Sequence, residues 1–132
     1  RLISADWCQC ENCRVLPTVV ECICCHEVDA AQHRMEDGYK CVTDNPYFGS
    51  ICLEVEVLKV AAIARADFRQ DILQELIPNE VLRHQAYRQF IYWIHQRLGK
   101  NHRRVIPACA VWKIRDAFPP ESGQYTGFKC SA

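Results

Sequence analysis

Trp7-Cys8-Gln9-Cys10-Glu11-Asn12-Cys13 places three thiols within six residues, and the adjacent pair Cys24-Cys25 and then Cys41 follow it. Cysteines this close seldom reach disulfide geometry with one another, whereas thiolates fanned around one cation need such crowding. The stretch reads as metal-held loops rather than as the disulfide framework of a small secreted domain. The metal that takes thiolates in a closed tetrahedral shell is zinc, and closed four-ligand shells are structural. One zinc needs four ligands, so the six cysteines from Cys8 to Cys41, with Cys22 set apart, overfill one site and underfill two. Seven thiolates supply two sites if one of them bridges, and Cys109, just after Pro107, is the candidate seventh. Two divalent ions also offset much of the repulsion among so many thiolates. His26, beside Cys25, could be an eighth ligand in place of a bridge, or a solvated loop histidine. Of the ten cysteines, Cys22, Cys52 and Cys130 are left over, Cys52 as a small core residue on a helix face.

The rest of the composition excludes several classes. At 132 residues the chain is read as one domain, 1–132, with a modest core, and its 49% apolar content argues against disorder. Sixteen basic residues balance sixteen acidic ones, so the basic excess that phosphate-backbone binding needs is missing and no nucleic-acid partner is expected. No apolar run approaches a membrane span. The opening Arg1, without methionine or a signal pattern, reads as a fragment of a longer protein.

Outward from the cysteines, residues 1–48 lack periodicity and read as loops, with Asn45-Pro46 as a turn. From Ser50 the spacing of Ile51, Val55, Leu58, Ala62 and Ala66 predicts a helix, preferred over the strand-like alternation of residues 53–57. A clearer helix is predicted from an N-cap at Asn79 to Gly99, with Leu82, Ala86, Phe90, Trp93 and Ile94 as its apolar stripe. Tyr87, Ile91 and Leu98 broaden that stripe, and Arg83, Arg88, Gln89, Gln96 and Arg97 take the polar surface. A third, from Pro107 to Phe118, would bury Val111, Ile114 and Phe118. The expected fold is mainly α, with two or three packed helices closed over by an irregular zinc-stapled N-terminal half.

Catalytic signatures are lacking. There is no His-Glu-x-x-His, no glycine-rich phosphate loop and no Gly-x-Ser-x-Gly elbow. Cys25-His26 is adjacency in sequence, which says nothing about the geometry a nucleophile needs. No catalytic residue is assigned, and the chain is expected not to be an enzyme.

Several motifs, in order, resemble one known domain: the Trp7–Cys13 run, Cys24-Cys25, Cys41-Val42-Thr43, Arg83-His84-Gln85-Ala86-Tyr87-Arg88, Trp112-Lys113-Ile114-Arg115 and Gly123-Gln124-Tyr125-Thr126-Gly127-Phe128-Lys129. That domain is the intracellular C-terminal ballast domain of the ATP-gated purinoceptor channels of subtype seven, and the likeness runs from about Trp7 to Lys129. The resemblance implies a cytoplasmic domain with a dinuclear zinc centre on Cys8, Cys10, Cys13, Cys24, Cys25, Cys41 and Cys109. It implies as partner the remainder of a larger parent, a trimeric membrane channel or another architecture bearing this domain. The segment between Cys25 and Cys41, carrying His26 and His33, is longer than in the channel domains. The resemblance further implies a guanine nucleotide pocket, of which Arg83, His84 and Tyr87 are present. Val111 and Pro120 stand where the channel domains have basic residues, so phosphate binding is expected to be weak or absent. The expected role is a cytoplasmic zinc-binding regulatory or interaction module; the alternative is a guanine nucleotide-binding sensor or hydrolase.

Overall fold

The computed structural model describes residues 1–64, 77–96 and 105–120. Among them run five α-helices and no strand: α1 (Asp29–Gln32), α2 (Pro46–Cys52), α3 (Val55–Ala64), α4 (Asn79–His95) and α5 (Ala108–Ala117). The mainly α class is as expected. The N-terminal half is built of single 3-10 turns, Val19–Glu21, Cys25–Glu27, His33–Met35 and Val42–Asp44. Each of three turns is closed by an acid three residues after its cap. Glu21 accepts from the Thr18 amide at 3.0 Å, Glu27 from the Cys24 amide at 3.0 Å and Asp44 from the Cys41 amide at 3.2 Å. Side-chain boxes of this kind satisfy backbone donors that a regular ladder would otherwise take.

The expected turn at Asn45-Pro46 is instead the start of α2. Asn45 Oδ1 accepts from the Tyr47 amide at 2.9 Å, and Pro46 sits at the first helical position, where its missing N–H costs nothing. The helix expected to run on from Ser50 is two helices, because α2 closes at Leu53 and α3 opens at Val55. The apolar spacing from Ile51 to Leu58 continues across this break, so periodicity alone does not reveal it. Leu58 and Ala62 are buried as expected, Val55 at the rim is 39% exposed, and Ala66 lies outside the described residues.

The other helices pack around α4, which α1, α2, α3 and α5 all contact. Its predicted stripe of Leu82, Ala86, Phe90, Trp93 and Ile94 is wholly buried, and Phe90 meets Phe48 and Trp93 edge to face, both at 6.0 Å between ring centres. Its ends differ from expectation. Asn79 is the first helical residue rather than the cap, which is Pro78, and the Asn79 side-chain nitrogen donates to the Pro119 carbonyl at 2.8 Å. The helix closes with Gln96 at φ 51°, its amide donating to Tyr92 O at 2.9 Å; the expected stop at Gly99 lies outside the described residues. Arg83, expected on the surface, is buried: its Nη1 donates to the Phe118 carbonyl at 2.7 Å, tying α4 to the end of α5. In α5, Val111, Ile114 and Phe118 are buried as predicted, and Pro107 caps it.

Candidate metal centre

The cysteines and the helical core form one continuous cluster, in which Cys10, Cys13, Cys24, Cys25, Cys41 and Cys109 lie beside Phe48, Phe90 and Ile114. The loop that carries Cys8, Cys10 and Cys13 has its shape set locally. Glu11 at φ 72° turns the chain so that Cys8, Cys10 and Cys13 face inward, and the Cys13 amide donates to Cys8 Sγ at 3.4 Å. The Gln9 amide donates to Cys24 Sγ, also at 3.4 Å. Cys109 arrives on the first turn of α5, which is held against the loops by the Ala108 amide donating to the Ile23 carbonyl at 2.8 Å.

All seven cysteines expected to be ligands come together, in two groups of four. Cys8, Cys10, Cys13 and Cys24 form one; Cys10, Cys25, Cys41 and Cys109 form the other, and within each the sulfurs lie within 4.8 Å of one another. Cys10 belongs to both. The Cys8–Cys10 and Cys10–Cys13 sulfur separations are 3.8 and 3.7 Å. A tetrahedron with metal–sulfur bonds of about 2.3 Å has edges of about 3.8 Å, so a zinc-sized thiophilic ion fits, whereas a disulfide requires about 2.05 Å. Every described cysteine is a free thiol.

His26 belongs to neither group; its Nε2 lies 2.6 Å from the Lys40 carbonyl oxygen. Cys22 exchanges hydrogen bonds with the Leu16 backbone at 3.3 and 3.4 Å, and Cys52 is a buried thiol whose pKa is pushed up by burial. Both fill the leftover role expected of them, and Cys130 lies outside the described residues.

The electrostatics centre on the shared residue. Hydrogen bonds from Cys109, then Cys13, Cys25 and Cys41, hold the Cys10 thiol far below its ordinary range. The same sulfur pushes Cys109, Cys13 and Cys25 upward, because a second thiolate beside the first is repelled. At Cys41 the contact with Cys10 raises the pKa, but Cys109 and Cys25 outweigh it and bring it down to about 6. Without cations the cluster thus favours the thiolate at Cys10 and Cys41 and the protonated thiol at Cys13, Cys25 and Cys109; a cation held by each quartet would let all seven ionise.

Sequence reasoning missed the supports of the donor set. Thr43 Oγ1 is 3.0 Å and the Thr43 amide 3.4 Å from Cys41 Sγ, and Met35 Sδ lies 3.7 Å from Cys25 Sγ. The signals were Cys-x-Thr at Cys41 and the acid three residues after Cys24 and Cys41.

The candidate nucleotide residues all lie on α4. Arg83 is directed at Phe118, Tyr87 Oη accepts from Arg115 Nε at 3.3 Å, and His84 is exposed. Val111 is buried at 9% exposure, and Thr126, Gly127 and Lys129 lie outside the described residues.

Among known proteins, the family described as P2X purinoreceptor 7 intracellular domain matches residues 2–129. The chain is 34% identical to the rat P2X purinoceptor 7 and 32% identical to the mouse P2X purinoceptor 7, in each case over 96% of its own length. It spans 20% of the length of either relative. Among the described residues, no helix is long and apolar enough to cross a membrane.

Proposed function

We propose that this chain, which belongs to the P2X purinoreceptor 7 intracellular domain family, is a zinc-held regulatory or interaction module on the intracellular side of a larger, purinoceptor-like parent. The observation that carries the reading is the pair of sulfur quartets joined at Cys10. Two zinc ions would be held by Cys8, Cys10, Cys13, Cys24, Cys25, Cys41 and Cys109, with Cys10 as the bridging thiolate. What zinc supplies here is cross-linking: it joins the N-terminal loops to α5 where few backbone ladders exist. All-thiolate shells leave no open coordination position, which supports a structural rather than a catalytic role.

The alternative, a guanine nucleotide sensor or hydrolase, has less support. A polyphosphate needs positive groups already aimed at it, and the Arg83 guanidinium is aimed at a backbone carbonyl in the interior.

Metal analysis with thiol counting tests the proposal. Protein saturated with zinc and freed of the excess should carry two zinc ions per chain, and all seven cluster thiols should count as free thiols once it is chelated and denatured. A ratio near one removes the bridged pair, and oxidised thiols with no metal remove zinc altogether.

A further inference from the structure

The two quartets are alike in chemistry but unlike in access and in what they join. In the inner quartet Cys25, Cys41 and Cys109 are 0% exposed and Cys10 is 2% exposed. The outer quartet reaches the surface twice: Cys8 is half-buried, and Cys13, 9% exposed, lines an open cavity of about 230 Å³ together with Arg14, Trp112 and Lys113. The inner quartet unites four separate segments: the Trp7–Cys13 loop, the Cys25–Glu27 turn, the loop end at Cys41 and α5. The outer one takes three of its four ligands from the single Cys8–Cys13 loop. Removing an outer ion unties that loop alone. Removing an inner ion would cut the sulfur tie between α5 and three other segments inside the buried cluster.

We propose that the outer quartet is a labile, exchangeable zinc position and the inner quartet a fixed one, giving the domain a stable state with one zinc ion. This rests on the two-zinc reading above. In the exchange, a competing ligand takes the outer ion by replacing its zinc–sulfur bonds. Cys8, Cys13 and Cys24 each then take up a proton, while Cys10 stays bound to the inner ion as an ordinary terminal ligand. The loop that closes the outer site needs only a local opening, and such openings cost far less than global unfolding. The other anchors of this region remain, since Arg14 pairs with Asp116 at 2.7 Å and its guanidinium lies 4.1 Å from the Trp112 ring centre. The domain thereby becomes responsive to the free zinc level around it, through a loop that is ordered with two ions and released with one.

Native mass spectrometry during incubation with EDTA tests this. The two-zinc species should pass through an accumulating one-zinc species, with the first ion leaving at least about tenfold faster than the second, a ratio that corresponds to about 1.4 kcal/mol in barrier height. Iodoacetamide applied to the one-zinc species should label Cys8, Cys13 and Cys24 and spare Cys25, Cys41 and Cys109, with far-UV circular dichroism retained. Loss of both ions in one step, or early labelling at Cys25 or Cys109, overturns the inference while leaving two zinc ions at the start intact. A starting count below two in protein first saturated with zinc and freed of the excess refutes the two-zinc reading itself, before any chelator is added.

Discussion

Cys10 stands at the point where the two sulfur quartets overlap, and its neighbours already favour its thiolate before any cation is considered. Substituting it therefore differs from substituting any other cysteine. Cys10→Ser should lose both ions, since a neutral hydroxyl is a poor bridge between two dications. Structural zinc sites contribute apparent binding energies of about 10–16 kcal/mol, comparable with the about 5–15 kcal/mol that stabilises a whole domain. The variant should accordingly be largely unfolded at 25 °C, with zinc content near zero. Cys22→Ser makes the control: its sulfur bonds to the Leu16 backbone, and a hydroxyl can make the same two bonds. It should keep two ions and lose about 1–3 kcal/mol, the range for a small polar change in a core. Equal metal contents for the two variants would remove Cys10 from the bridging role.

At the scale of elements, the structure depends on a few polar ties that link helices end to end. Arg83 is the strongest: a buried guanidinium from α4 holds the carbonyl of Phe118, just past α5. Asn45 does double duty, capping α2 with its oxygen and holding the Arg34 carbonyl with its nitrogen at 2.9 Å. A hydrogen bond from a charged donor contributes about 1.5–3 kcal/mol, so Arg83→Ala should destabilise by about that much. Urea denaturation followed by circular dichroism measures it, and zinc content should stay at two per chain. A neutral effect on stability, or a loss of zinc, would show that this arginine serves something other than the α4–α5 tie. The helical stripe on α4 could be read from spacing because burial follows the 3.6-residue period. The interruption between α2 and α3 could not, because both helices present their apolar residues to the same neighbour.

At the scale of the whole molecule, charge and engagement of side chains argue jointly about ligands. The net charge is zero, and two of the candidate nucleotide residues on α4, Arg83 and Tyr87, are engaged with the Phe118 carbonyl and Arg115. A ligand that binds only the folded state adds RT ln(1 + [L]/Kd), about 2.7 kcal/mol at a hundredfold excess over Kd. In a chain of this size about 1 kcal/mol moves Tm by roughly 3–5 °C. Thermal melts with millimolar guanosine diphosphate and the zinc-loaded protein should therefore show a shift below about 1 °C, well under what saturation would give. A rise of several degrees that Arg83→Ala abolishes would restore the nucleotide-sensor reading.

The residues by themselves determined the helical class, the buried faces of α4 and α5, and the six crowded thiols from Cys8 to Cys41, because each of these rests on local spacing or on the crowding of one residue type. Arithmetic on ligand number also required a bridge or an eighth ligand. Only the tertiary structure decided that Cys10 lies in both quartets while His26 turns to the Lys40 carbonyl, since Cys109 reaches the cluster from the far end of the chain. It also decided that Arg83 is interior. A charged residue on a helix face reads as solvated until the chain, many residues later, brings a bare carbonyl to meet it, and no local pattern encodes that meeting.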